Sequence, residues 1–181
     1  MDATTARILL VSGSTRSGST NTALLRTARD APPAGIEAEL YEGLAGLPHF
    51  NPDDDVEPLP DAVADLRARI AAADAVLFCT PEYAGTLPGS AKNLLDWTVG
   101  GTEMSDKPVA WVNAAADSRR GGGAHATLAT VLGYVQARIV DEACIDVPVP
   151  RGAAGADGLI ADADVRAGIR AALCALADAT G

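Results

Sequence analysis

Short apolar runs alternate with stretches of helical periodicity along this chain, and that alternation restricts the available folds more than any other feature. The runs are RILLVSG (7–13), EAELYEG (37–43), DAVLFCT (74–80), PVAWVNA (108–114) and RIVDEACIDVPV (138–149). Between them, Leu59, Val63, Leu66 and Ile70 fall on one face of a helix that starts near Asp61. Val165, Ile169, Leu173 and Leu176 repeat that spacing. Three further helices are marked by Leu24, Leu25 and Ala28, by Leu87, Ala91, Leu94 and Leu95, and by Leu128, Val131, Leu132 and Val135. Strands separated by helices pair in parallel through right-handed crossovers. The first, third and fourth runs are almost continuously apolar, as strands covered on both faces must be. Residues 1–181 therefore read as a single α/β domain of three layers, a five-stranded parallel sheet with helices on both faces and no internal repeat.

A length of 181 residues suits one domain with a sizeable core. With 48% hydrophobic but only 4% aromatic residues, alanine and the aliphatic side chains must fill it. The net charge of −10 argues against nucleic acid, which needs a basic face, and against anionic membrane surfaces. An anionic ligand must then be gripped locally, against the overall field. Cys79, Cys144 and Cys174 are sparse, odd in number and far apart, which fits a reduced compartment and neither a disulfide framework nor a metal site. The start MDATTARILLVSG has an acid at position 2 and an apolar run of only four residues, so it reads as neither a signal peptide nor a membrane span. A cytoplasmic location is the expectation. The stretch GLPHFNPDDDVEPLP (46–60) reads as a polar connection within the domain, because the helix after it must return to the same sheet.

Ligands of such sheets bind beyond the carboxyl ends of the strands, where strand order reverses, which directs attention to residues 12–20, 80–88 and 113–124. The first of these loops, VSGSTRSGSTN (11–21), is built for phosphate but fails three familiar tests. Gly13 and Gly18 are spaced as in a nucleoside-triphosphate loop, yet Ser19 stands where the lysine should be. Thr15 occupies the place of a glycine that close approach to a dinucleotide pyrophosphate requires. A phosphatase loop needs a cysteine, and the nearest in sequence is Cys79. A monophosphate remains: hydroxyls of Ser14, Ser19 and Thr20, the planar fork of Arg16, and the N–H groups opening the next helix suit a single dianion. An ordinary helix-capping turn with a solvated Arg16 would read the same way.

In CTPEYAGTLPGSAKNLLDW (79–97), Pro81 turns the chain out of the sheet, and Gly85 and Gly89 are placed for tight turning. Such a bend can aim backbone groups at a flat heteroaromatic ring beside Tyr83, although an isolated tyrosine more often plugs a sheet end. Asn93 and Trp97 lie off the apolar face of the helix that follows, and an indole on that flank points to a partner subunit or a half-covered surface. Lys92 reads as solvated. In NAAADSRRGGGAHA (113–126), three glycines allow backbone to lie against a ligand or to open as a gate. Arg119 and Arg120 are candidate contacts for an anionic second substrate, and His125 is expected to cap or pack. No role falls to His49.

Taken together, GSTRSGSTN (13–21) and PEYAGTLPGSAKNLLDW (81–97) resemble the two signatures of the NADPH-dependent FMN reductases of flavodoxin-like fold, a family that includes quinone, chromate and azo-dye reductases. Pro81, Glu82, Tyr83, Pro88, Gly89, Lys92, Asn93, Asp96 and Trp97 stand in register, and the likeness runs from about residue 7 to residue 140. The resemblance implies strand order 2-1-3-4-5, FMN as cofactor and NADPH or NADH as electron donor. It implies that Ser14, Arg16, Ser19, Thr20 and Asn21 hold the phosphate and ribityl chain, that Pro81, Glu82 and Tyr83 line the isoalloxazine, and that Ala115 and Gly122 approach its pyrimidine side. It further implies a homodimer or homotetramer, a small-molecule acceptor such as a quinone or free flavin, and no protein acid or base, the flavin itself carrying the hydride. Two departures bear on acceptor choice: Ala84 replaces a polar residue often found after the tyrosine, and Ala91 a bulkier apolar one before the lysine. A flavodoxin-like electron carrier with no pyridine-nucleotide activity is the alternative reading, and an α/β domain that has lost its ligand is a third.

Overall fold

Each apolar run becomes a strand whose alternate side chains enter two different cores. The structure, a computed structural model, describes residues 5–117 and 119–181. In strand β1 (Ala6–Ser12), Ile8 and Leu10 face one core while Leu9 and Val11 face the other. Strand β3 (Ala75–Cys79) divides its residues likewise, Leu77 to one side and Val76 and Phe78 to the other. Helices α1 (Thr20–Asp30) and α5 (Ala163–Asp178) close the first core with Leu24, Leu25, Ile169 and Leu173. Helices α2 (Asp61–Ala72), α3 (Gly89–Asp96) and α4 (Gly122–Tyr134) close the second with Leu66, Ile70, Leu94, Leu95 and Leu128. Burial on both faces is what made these runs read as continuously apolar. Five helices were expected and, among the described residues, five α-helices cover the sheet.

With β2 (Ile36–Tyr41), β4 (Pro108–Asn113) and β5 (Arg138–Ile139), the strands run parallel in the order β2-β1-β3-β4-β5, the flavodoxin-like arrangement. The fifth run departs from expectation. Only Arg138–Ile139 (β5) and Ile145–Asp146 (β6) pair, both with β4, at Pro108–Val109 and at Val112–Asn113 respectively. Between them Asp141–Ala143 forms a short 3-10 turn. Asp141 and Glu142 are exposed while Ala143 is fully buried, so the turn carries the two acids out to water and keeps the apolar residue in the core. Among the described residues, no helix is long and apolar enough to cross a membrane.

The connection 46–60 returns to the sheet as expected, but what fastens it corrects the reading of Trp97. The indole is fully buried, not half-covered at a subunit surface. Its Nε1–H donates to the Pro48 carbonyl at 2.9 Å, and Phe50 packs edge-on at 5.0 Å between ring centroids. Asn93 accepts from the Phe50 N–H at 2.7 Å and donates to the same Pro48 carbonyl at 2.9 Å. Arg67 completes the attachment: it donates to Asp55 at 2.7 Å and to the Trp97 carbonyl at 2.9 Å, with both members of the ion pair nearly buried. Lys92, read as solvated, pairs with Asp96 one turn along α3 at 2.5 Å.

Removing one member of a buried pair strands the other, whereas an exposed pair is screened by water. Arg67→Ala should therefore lower stability by about 3 kcal/mol. Arg69→Ala, which loses the exposed pairs with Glu39 and Asp65, should cost less than about 1 kcal/mol. Urea titrations compare the two, and equal losses would mean that Arg67 does not hold this segment down.

Candidate functional site

Strand order reverses between β1 and β3, and a crevice opens beyond their carboxyl ends, as the topology requires. The opening depends on one close approach. The Gly13 N–H donates to the Cys79 carbonyl at 2.9 Å, and a β-carbon on Gly13 would sit 2.2 Å from the Thr80 hydroxyl. Gly13 is thus a glycine for the sake of strand packing. The cavity beyond it measures about 770 Å3, the size of a site for a cofactor or drug-sized ligand. Thr20 and Asn21 line it from α1, and Thr80, Pro81 and Glu82 from the chain leaving β3. Residues 113–117 with Arg120 and Gly121 line it from the chain leaving β4, and Val149 and Arg151 from beyond β6.

The first loop is shaped by its own hydroxyls. Ser19 caps α1 by accepting from the Thr22 N–H at 3.3 Å, and Ser14 accepts from the Arg16 N–H at 3.3 Å. Accepting uses oxygen lone pairs and leaves both O–H protons available to an anion. The capping reading and the anion-binding reading of Ser19 are therefore compatible. Arg16 is exposed, its guanidinium donating to the Gly18 carbonyl at 2.8 Å. Ser14 and Arg16 do not line the cavity in this conformation; Ser19 and Thr20 line a smaller adjoining one of about 360 Å3. The Cys79 thiol donates to Asn21 Oδ1 at 3.2 Å, and burial pushes it well above the ordinary thiol range, so it is no nucleophile.

The second loop is a hairpin. Tyr83 and Thr86 exchange both backbone hydrogen bonds, at 3.0 and 3.1 Å. The two residues between them, Ala84 at φ 51° and Gly85 at φ 77°, are both left-handed, as a two-residue turn of this kind demands. Gly89, expected to help the turn, instead opens α3. Glu82 accepts from the Gly123 N–H at 2.8 Å, and Thr86 bonds Thr127 at 2.8 Å, so the hairpin is stapled to the start of α4. Tyr83 is half exposed beyond the cavity lining.

Two of the three consecutive glycines answer to packing within the protein. Gly121, at φ 93°, would place a β-carbon 2.7 Å from Asn113 Oδ1, and one on Gly123 would lie 2.1 Å from the Gly85 carbonyl. Gly121 lines the cavity, whereas Gly122 begins α4 one residue on. Asn113, which sequence reasoning passed over, organises this loop. Its Nδ2 donates to the Arg120 carbonyl and to Asp146, each at 2.8 Å, while Oδ1 accepts from the Ala115 N–H at 3.2 Å. The one available signal was a polar side chain closing the apolar run PVAWVN. Arg119 is spent on Asp117 in a two-pronged contact at 3.0 and 2.9 Å, which holds that carboxyl below the usual carboxylate range. Among the described residues, no cluster of three or more metal-ligating side chains occurs.

His125 packs, as expected, stacked on Trp111 with ring centroids 5.8 Å apart, and its Nε2 has no protein partner. Burial lowers its pKa below the ordinary value of 6.5, outweighing the carboxylates of Asp146 and Glu82. The unfolded chain therefore binds more protons than the folded one just below that pH. Stability from this site is complete above roughly pH 6.5 and is lost as pH falls through the folded value. His125→Phe should flatten that acid-side slope in urea titrations run from about pH 7.5 to about pH 5; an unchanged slope would clear His125 of the effect.

Residues 6–148 match the family described as NADPH-dependent FMN reductase. An NAD(P)H-dependent FMN reductase of Pseudomonas aeruginosa is 42% identical over 112 residues, covering 61% of this chain and 60% of that protein. A probable NADPH:quinone oxidoreductase of Oryza sativa subsp. japonica is 37% identical over 61% of this chain and 53% of its own length. The chain thus spans between about half and three-fifths of these two relatives. A quinone reductase of Pseudomonas putida is 31% identical over 144 residues, 78% of this chain and 74% of that one. Among solved structures, the flavoenzyme NAD(P)H:(acceptor) oxidoreductase FerB from Paracoccus denitrificans superposes with a TM-score of 0.82 at 27% identity, covering 97% of each chain. The family match takes in every strand and the first four helices, that is, all the walls of the cavity except Val149 and Arg151. On this ground the chain belongs to the NADPH-dependent FMN reductase family.

Proposed function

We propose that this protein is an FMN-dependent NAD(P)H oxidoreductase that passes electrons from NAD(P)H to a quinone, free flavin or similar small acceptor. The observation that carries the reading is the cavity itself. One crevice at the strand-order reversal joins the polar start of a helix, the chain that leads from β3 into a tied hairpin and a glycine-bounded loop, in a chain whose family match covers all three. The residues present fit FMN. The start of α1 offers N–H groups and free hydroxyl protons to a phosphate, and the volume accommodates a ring system with its chain.

Bound FMN would supply the two-electron chemistry, taking up and giving back a hydride equivalent. The protein's part is to bind and orient. Ser14, Arg16, Ser19, Thr20 and Asn21 would hold the phosphate and ribityl chain, Arg16 leaving the Gly18 carbonyl to do so. Pro81, Glu82 and Tyr83 would line the ring, on a hairpin held still by its bonds to α4. Ala115 and Gly122, or Gly121 beside it, would approach the pyrimidine side, with Asn113 fixing the path of that backbone. Donors aimed at that edge favour negative charge arriving there. No side chain is assigned a proton-transfer role. Small acceptors, a homodimer or homotetramer and a cytoplasmic setting complete the reading; the exposed Tyr134 is apolar surface that a second copy would cover.

The purified protein should take up FMN, develop its visible absorption, and oxidise NADPH or NADH when a quinone is supplied. A yellow protein that leaves both nucleotides unoxidised would be an electron carrier instead, and a colourless one that refuses FMN would end the flavin reading. Arg16→Ala should weaken FMN binding about tenfold, the worth of one charge-assisted contact. Flavin fluorescence titration measures it, and full affinity in that variant would remove Arg16 from the phosphate site.

A further inference from the structure

Arginines in this acidic chain are almost all committed. Arg7, Arg26, Arg67, Arg69 and Arg119 pair with carboxylates, and Arg16, Arg138, Arg166 and Arg170 donate to backbone carbonyls. Among the described residues, that leaves Arg29, Arg120 and Arg151 with no side-chain bond to any protein acceptor. Two of those three line the same cavity, and they reach it from different loops, Arg120 from beyond β4 and Arg151 from beyond β6.

Neither carboxylate on that cavity wall forms an ion pair with them, although Asp117 lies near enough to Arg120 to feel its charge. Asp117 is engaged by Arg119, and Glu82 by the Gly123 N–H at the start of α4. Both are exposed and without a protein acceptor, so in a chain of net charge −10 they are a rare local foothold for an anion. Their joint charge matches a phosphomonoester dianion, and each planar fork suits phosphate oxygens. The Arg120 backbone is anchored by Asn113, so one half of the pair is already positioned. Arg151 lies outside residues 6–148, so the family match does not account for it.

We propose that Arg120 and Arg151 form a two-arginine subsite for a phosphomonoester, separate from the hydroxyl loop at residues 14–21. Resting on the flavin reading above, which already gives the one phosphate of FMN to the hydroxyl loop, the reactant left with such a group is NADPH, at its 2′-phosphate. NADH is the natural counterpart lacking it, and the comparison tests the subsite.

Arg120→Gln and Arg151→Gln are compared with wild type for FMN and riboflavin binding to the flavin-free protein by fluorescence, and for KM with NADPH and NADH. Each variant should raise KM for NADPH about tenfold and leave KM for NADH and the affinities for FMN and riboflavin within about twofold. A KM rise confined to NADPH upholds the subsite. Equal rises for both nucleotides, a rise for neither, or a loss confined to FMN overturn the proposal. Arg151→Lys should recover part of the affinity, and thermal melting confirms that the variants fold. Should wild type bind no flavin at all, the flavin reading fails by itself. Calorimetry with inorganic phosphate then decides the subsite alone: wild-type affinity about tenfold above Arg151→Gln upholds it, and equal affinity sinks it.

Discussion

The Gly13 N–H is bonded to the Cys79 carbonyl and the Thr80 side chain lies so close to Gly13 that no side chain fits there, and the rest of the site depends on that approach. It keeps the ends of β1 and β3 level just where the chain leaves them for opposite faces of the sheet. From β1 it passes to α1 in one layer, and β3 leads to α3 in the other. Were the two ends staggered, the start of α1 and the chain leaving β3 at Thr80–Glu82 would not face a common space. The bond from the Cys79 thiol to Asn21 adds a second tie across the same junction. Backbone contact between strands thus sets the width of the crevice, and side chains only furnish it.

Furnishing it is mostly a matter of rigidity. The hairpin is tied to α4 by Glu82 and Thr86, and the loop after β4 is tied to itself and to β6 by Asn113. Gly121 and Gly123 of the third loop, which in a sequence look like slack, are positions where neighbouring atoms leave no room for a methyl group. A site organised in this way loses little freedom when a flat ligand enters, and pre-organisation of that sort raises affinity. The electrostatics run the same way, because the carboxylates nearest the cavity are bound to protein donors while two guanidiniums are not.

How much of this could be read beforehand follows from the range of each interaction. The layers were legible because burial on both faces leaves its mark within five to seven consecutive residues, as in β1 and β3. The break between β5 and β6 was not, since Asp141 and Glu142 sit inside a run that otherwise looks like a strand. Trp97 misled for a different reason. What covers it, Pro48 and Phe50, lies more than forty residues earlier in the chain, so no local pattern distinguishes a capped indole from an exposed one. In the site, Thr20, Asn21, Pro81, Glu82 and Ala115 meet at one cavity as their loops foretold, Asn113 opens the third of those loops without having been singled out, and Arg151 belongs to the cavity through tertiary proximity alone.

The interrupted last strand has a consequence for the molecule in a crowded solution. Sheets grow from one protein to the next along edges that present a long row of unpaired amides and carbonyls. Here one margin is cut into two pieces of two residues each by the turn that expels Asp141 and Glu142. The opposite margin, β2, carries the exposed acids Glu37 and Glu39. The interrupted flank offers no long template for another chain, and the acids on β2 discourage pairing at the other, which works against fibrous self-association.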